Sequence, residues 1–169
     1  MKSIQSKKAN VINKDTLIVT VDISKVTNVG YCRCPNGIDV KPFSFMNNAQ
    51  GFNTFWNRIM KTKNTHDLKD IVVGFEPTGP YGEPLTHFMK KKKAKLIQIN
   101  PMHTKRVKEL EGNSPNKTDQ KDPKVIADII ELGHALTVVQ PEGPAAELRK
   151  LTHARERAMQ RRTAIFNQL

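Results

Sequence analysis

Apolar positions change period several times along the chain, and those changes divide it into elements. Residues 1–15 are polar and basic with no apolar rhythm, and read as a mobile tail. Thr16 to Ile23 (TLIVTVDI) is a β-branched run broken by one carboxylate, the pattern of a buried strand that ends in an acid. Val29–Arg33 and Ile38–Phe45 predict two more strands, with Pro35-Asn36-Gly37 as the turn between them, so the first three strands form a meander. Asn48 can cap a helix through about Lys61, whose buried stripe is Phe52, Phe55, Trp56 and Ile59. An aromatic stripe at this spacing is core more often than a base-stacking platform.

Ile71–Phe75 (IVVGF) predicts the fourth strand, and Glu76 follows at its carboxyl end. Pro77-Thr78-Gly79-Pro80 stops that strand. The residue before a proline is held extended, so Glu76 should project from the strand end with little freedom. A helix over Tyr81–Lys92, a strand over Lys95–Ile99 and a helical stretch from Asn100-Pro101 to Leu110 come next. Residues 111–117 (EGNSPNK) form a polar loop. Asp122–Leu132 predicts a helix with Val125, Ile126, Ile129, Ile130 and Leu132 on its apolar face, closed by Gly133. Pro141–Pro144 is a linker. Ala145–Leu169 sets Leu148, Leu151, Ala158, Ile165 and Phe166 along one side and Arg149, Arg155, Arg157, Arg161 and Arg162 elsewhere, the pattern of the start of a basic coiled-coil helix. There is no internal repeat.

The order βββαβαβα plus a further helix predicts an α/β fold, a mixed five-stranded sheet with flanking helices of the ribonuclease-H-like type. In that architecture the first and fourth strands lie side by side, so Asp22 and Glu76 end adjacent parallel strands. The domain boundaries expected are a tail over 1–15, a main α/β domain over 16–140 and a coiled-coil helix over 145–169.

Composition narrows the partner. Lys and Arg outnumber Asp and Glu 28 to 16, giving a formal charge of +12 and a pI near 9.9, and a chain that basic points to a polyanion, nucleic acid first. Charge alone does not imply catalysis, since a ribosomal or chromatin binder shares it. Cys32 and Cys34, two apart on a strand, share a face and lack further soft ligands nearby, so they read as reduced packing residues in a reducing cytosol. No secretory signal opens the chain and no apolar run approaches the ~20 residues of a membrane span, so a cytoplasmic protein without membrane contact is expected.

Against that basic background four acids stand at element ends. Metal-dependent phosphodiester cleavage needs hard oxygen ligands converging from separate elements, around Mg²⁺ ions about 3.5–4 Å apart. Asp22 ends the first strand and Glu76 the fourth. Asp119 and Asp122 flank a helix start at i, i+3, on one face if that turn forms, with Lys117 beside them for a phosphate. Singly, each acid is equally well a turn former or a helix cap, and Asp122 before Pro123 is a good N-cap.

The segments V-D-I-S-K (21–25), G-F-E-P-T-G-P-Y (74–81), I-N-P (99–101), K-T-D-Q-K-D (117–122) and I-A-D (126–128) resemble the insertion-sequence 110 family of DEDD-type transposases. The tail resembles it too, in L-R-K-L at 148–151 and R-T-A-I-F-N-Q-L at 162–169. The resemblance implies a RuvC-like catalytic domain in which Asp22, Glu76, Asp119 and Asp122 are the catalytic metal ligands, with Mg²⁺ as cofactor and Mn²⁺ able to substitute. It also implies DNA strand cleavage and exchange, guidance by a structured bridge RNA in several members, and dimers that assemble into tetramers. Family members carry a serine-bearing domain beyond this region, so the chain is expected not to complete recombination alone. Pro123 departs from the family pattern, where a small helix former is usual. It places the helix start at Asp122 and leaves Asp119 on the preceding loop.

Lys105 and Arg106, Lys117, and Arg149, Arg155, Arg157, Arg161 and Arg162 are the candidate nucleic-acid contacts, the arginines because they can grip phosphate bidentately. The Lys90–Lys93 run with Lys95 is either a phosphate contact or a solvated helix end. Ser24 and Thr78 read as turn and positioning residues. Two rival functions share these features: a RuvC-like junction nuclease that needs no other domain, and a non-catalytic module that only grips RNA or DNA.

Overall fold

A computed structural model describes residues 12–35, 37–76, 79–110, 122–133, 136–137 and 143–168. The expected tail up to residue 11, the loop over 111–117 with Lys117, and Asp119 lie outside the described residues. The chain divides into two compact units, Met1–Thr137 and Val138–Leu169. Among the described residues no helix is long and apolar enough to cross a membrane.

The first unit is built on one mixed sheet. Strands β1 (Thr16–Asp22), β2 (Thr27–Arg33) and β3 (Asp39–Met46) form the antiparallel meander. Helix α1 (Ala49–Thr65) leads to β4 (Asp70–Phe75), which pairs with β1 in parallel. A 3-10 turn (Gly79–Gly82) and α2 (Glu83–Lys91) lead to β5 (Lys95–Gln98), again parallel to β4. Helices α3 (Pro101–Leu110) and α4 (Asp122–Glu131) follow. A two-residue strand, β6 (Leu136–Thr137), extends the five expected strands at the outer edge, giving the order β3-β2-β1-β4-β5-β6.

β1 is central and buried on both faces, which is why its sequence is nearly continuous in apolar and β-branched residues. On one face α1 seats Phe55 against Phe45 and Phe43, with ring centroids 4.3 and 5.9 Å apart. Asn48 starts that helix by accepting from the Gly51 N–H at 2.8 Å. Phe52, Phe55 and Ile59 are buried as the helical spacing predicts, but Trp56 is only half-buried. It sits at the edge of the stripe, beside the N-terminal ends of β4 and β5, where no element covers it completely.

On the other face α4 places Val125, Ile126, Ile129 and Ile130 on Ile18, Tyr31, Val72, Ile97 and Ile99. Leu132 does not join this core. The helix ends at Glu131, Gly133 turns away with φ 72°, and Leu132 is 66% exposed in that turn. Cys32 and Cys34 are free and buried, and burial pushes the Cys32 thiol up to about 12, so it stays protonated.

One buried charge fastens α4 to the sheet. Arg33, at the end of β2, donates to Asp39 at 2.9 Å and, across to α4, to Asp128 at 2.5 Å and Glu131 at 3.0 Å. Burial alone would push its pKa down. Asp128, Asp39 and the Tyr31 hydroxyl outweigh that and hold it above the ordinary arginine value. Burial pushes the Asp39 carboxyl up, but the Tyr31 hydroxyl and Arg33 together keep it below the usual carboxylate value.

Removing the cation takes their shared partner from Asp128 and Glu131, and leaves Asp39 with Lys124 at 3.7 Å. Arg33→Met is expected to lower unfolding stability by about 2–4 kcal/mol, the lower part of the range for a broken buried pair because Asp39 and Glu131 keep access to water. A urea midpoint that drops with an unchanged m-value would bear this out. Asp39 has a folded pKa below its unfolded one, so its contribution is full above about pH 4 and is lost as pH falls through the folded value. Asp39→Asn is expected to flatten the acid limb of the stability profile, read by thermal melts below neutral pH.

Candidate active site

The register of β1 and β4 brings the first two acids together. Val21 pairs with Phe75 in parallel, so Asp22 and Glu76, one residue on, leave the sheet side by side. Both are half-buried. Side chains alternate along a strand, which puts Ile18, Thr20 and Asp22 on one face of β1 and Val72, Gly74 and Glu76 on the matching face of β4. That is the face α4 covers. Ile18 and Val72 lie in its apolar core.

One bond aims the start of α4 at this corner, and one close approach seats its far end on the sheet. The buried Thr20 hydroxyl donates to the Pro123 carbonyl at 2.5 Å, across 103 residues of chain. This ties the first turn of α4 to β1, two residues before Asp22. Beside it Gly74 lets the helix settle onto the sheet: a Cβ there would come within 2.3 Å of the Ile130 Cδ1 atom. Among the described residues the helix runs from Asp122, with Pro123 next. Asp122 therefore stands at the same sheet corner as Asp22 and Glu76. The structure brings three of the four predicted acids to one end of one face, described for Asp122 by its backbone alone; Asp119 lies outside the described residues.

A polar brace holds the loops that follow the two strand-end acids. Asn47 donates through Nδ2 to the Ser24 carbonyl at 2.8 Å, just after Asp22, and to the Tyr81 carbonyl at 3.2 Å, in the 3-10 turn after Glu76. Ser24 closes its own turn, its hydroxyl donating to the Thr27 carbonyl and its N–H to the Asn28 Oδ1 atom at 3.0 Å. Ser24 thus acts as the turn residue its sequence context predicts.

The donor chemistry suits a hard divalent cation. Asp22 and Glu76 offer only carboxylate oxygen, on two adjacent rigid strand ends. Among the described residues no group of three His, Cys, Asp or Glu side chains converges as a metal site.

The basic candidates fall in three places. Lys105 and Arg106 are exposed on α3. That helix begins beside the acids, because Ile99 extends the β5–β4 pairing by donating to the Phe75 carbonyl at 3.0 Å and Asn100 caps the next turn through Met102 N–H. Arg149, Arg155, Arg157, Arg161 and Arg162 are exposed along α5 (Pro144–Phe166), the helix of the second unit. Lys92, Lys93 and Lys95 stand at the opposite end of the sheet, where β5 begins.

The sheet order, with the parallel β1–β4 pair at its centre and helices on both faces, defines the class: an α/β domain of the ribonuclease-H-like fold. The chain belongs to the DEDD transposases of the insertion-sequence 110 type, a transposase family whose profile it matches over residues 19–169. No curated protein matches it.

Sequence alone missed Thr20, Asn47 and Arg33 as the groups that position this corner. Only Arg33 carried a signal, a lone cation in a strand bounded by buried residues. Thr20→Val removes the Pro123 tie, and Gly74→Ala wedges Ile130. Each is expected to cost about 1–3 kcal/mol. Faster hydrogen exchange at the amides of Val125–Ile130 would mark the loosened helix, and unchanged exchange would refute the tie.

Proposed function

We propose that this chain is the catalytic domain of a DNA transposase, cleaving and exchanging DNA strands with a divalent cation, Mg²⁺ or in its place Mn²⁺. The single observation that carries the reading is the Val21–Phe75 register, which sets Asp22 and Glu76 side by side on the face where α4 begins. Asp22 and Glu76 would hold the cation between the two central strands. Asp122 and Asp119 would complete its ligands from the α4 side. A divalent cation held there supplies Lewis-acid stabilisation of charge on the phosphodiester oxygens. The protein's own part is to fix the carboxylates on strand ends and a pinned helix start, so that little reorganisation is needed on binding DNA.

DNA would approach across the exposed Lys105 and Arg106 of α3, which neutralise phosphates next to the acids. The exposed arginines of α5 would give a second grip. The same proposal includes a structured guide RNA and assembly into a homodimer or tetramer in the cytoplasm.

Asp22→Asn and Glu76→Gln are each expected to abolish metal-dependent strand cleavage and transposition, a loss of at least about a hundredfold, since each takes a charged ligand from the site. Thermal melting should stay near wild type, because both side chains are half-buried strand-end groups. Retained transposition in either variant would overturn the assignment.

A further inference from the structure

A cavity among the described residues lies far from the acids. It has a volume of about 500 Å³ and is lined by Trp56, Met60 and Lys63 of α1, by Lys69 to Val72 at the start of β4, and by Lys92 to Lys95 between α2 and β5. Asp70 opens β4 at this cavity and Glu76 follows its other end, so about 20 Å of strand separates the cavity from the acidic corner.

Its lining divides by chemistry. Trp56, Met60 and Lys63 recur at helical spacing along one side of α1, and Ile12, Ile71 and Val72 add apolar surface. Around this floor stand Lys63, Lys69, Lys92, Lys93 and Lys95, against one lining carboxylate, Asp70. Lys69 is paired with Asp15 at 2.9 Å, and Asp70 accepts from Asn13. Among the described residues no carboxylate pairs with Lys63, Lys92, Lys93 or Lys95. Lys92 holds its ammonium 5.9 Å from the Trp56 ring centre, so a flat aromatic surface and a cation adjoin.

Backbone geometry adds an independent sign. Lys93 has φ 55°, the left-handed conformation that follows a helix end, where glycine is the ordinary choice. A lysine there costs conformational energy that glycine would not. Such a cost at a cavity rim points to use of the side chain.

We infer that this cavity binds an unpaired nucleotide segment of a nucleic acid, its base stacked on Trp56 and its phosphates held by Lys92, Lys93 and Lys95. A half-exposed indole ringed by cations is the stacking platform and electrostatic groove that single strands require. The volume lies in the range of about 300–1,000 Å³ that accommodates a small organic group. A duplex buries its base faces, so it would meet the lysines but not the ring. The inference rests on the proposed function only in taking nucleic acid as the ligand class.

Trp56 is the sole tryptophan of the chain, so its emission reports on this cavity alone. The test titrates the full chain with an oligothymidylate and an oligouridylate, following Trp56 emission and, with labelled strands, anisotropy. Saturable quenching by either strand supports the site, and the stronger of the two identifies DNA or RNA as its source. The variant Lys92→Gln/Lys93→Gly/Lys95→Gln should melt no lower than wild type, because glycine relieves residue 93. It should bind at least about tenfold more weakly at low salt. Its slope of log affinity on log salt should fall by about 2, at roughly 0.7 per lost phosphate contact on a single strand. Strand binding without quenching, or unchanged affinity and slope in that variant, overturns the inference. Asp22→Asn should quench as wild type does. Normal quenching with retained transposition in Asp22→Asn would sink the proposed function and leave the cavity standing. Absent quenching with transposition lost in that variant would do the reverse.

Discussion

The parallel pairing of β1 with β4 is the constraint on which the rest of the domain depends. Two strands far apart in sequence run the same way at the sheet centre, so their carboxyl ends emerge together. A carboxylate placed one residue past the last pair on each strand then needs no further device to find its neighbour. An antiparallel pairing would send Asp22 and Glu76 to opposite ends of the sheet. Slipping the register by one residue would turn one of them to the other face, toward α1 instead of α4. Both faces of β1 are buried, so what forbids the slip is the fit particular to each face: Thr20 against Pro123 and Gly74 under Ile130 on the α4 side.

The helix that completes the corner is held by unlike means along its length. Its middle is apolar and interchangeable in kind: Ile126, Ile129 and Ile130 settle on the sheet, and Gly74 gives them room. Such contacts hold a helix against a sheet but tolerate sliding along it. Directional bonds fix the position. Thr20 holds the first turn through the Pro123 carbonyl, and Arg33 holds the third through Asp128 and Glu131. A buried guanidinium gains little net stability over an apolar core, since its desolvation offsets much of its pairing. Its value here is that it admits one placement of α4, and so one placement of Asp122 relative to β1.

Much of this was legible in the sequence. The β-branched run ending in Asp22 and the proline after Glu76 each mark a boundary by local chemistry, and the strands end there. Asp22 and Glu76 needed only the strand order in addition. What stayed hidden depends on which elements meet. Thr20 reads as an ordinary β-branched strand residue, and nothing local says that its hydroxyl reaches Pro123. Trp56 and Leu132 fit the apolar period of their helices yet lie at an edge and past an end, because a period assigns a face and not its depth of cover. The brace formed by Asn47 is illegible for the same reason, since its two partners lie in loops brought together only by the sheet. The lysines at 92, 93 and 95 were visible as a run, but their joining with Trp56 from another helix was not.

The two ends of the sheet therefore carry opposite chemistry. Carboxylates gathered at one corner repel one another and any phosphate that approaches. The whole chain, with these acids counted, carries a formal net charge of +12, and only cations within a screening length of the corner offset that field. At about 20 Å the lysine cavity lies beyond the screening length of roughly 8–10 Å in physiological salt. It cannot neutralise the acids directly, nor is it weakened by them. On the two proposed readings, sites so separated would be occupied by different stretches of nucleic acid at once, each on its own electrostatic terms. Basic residues placed only beside the acids could not provide that independence.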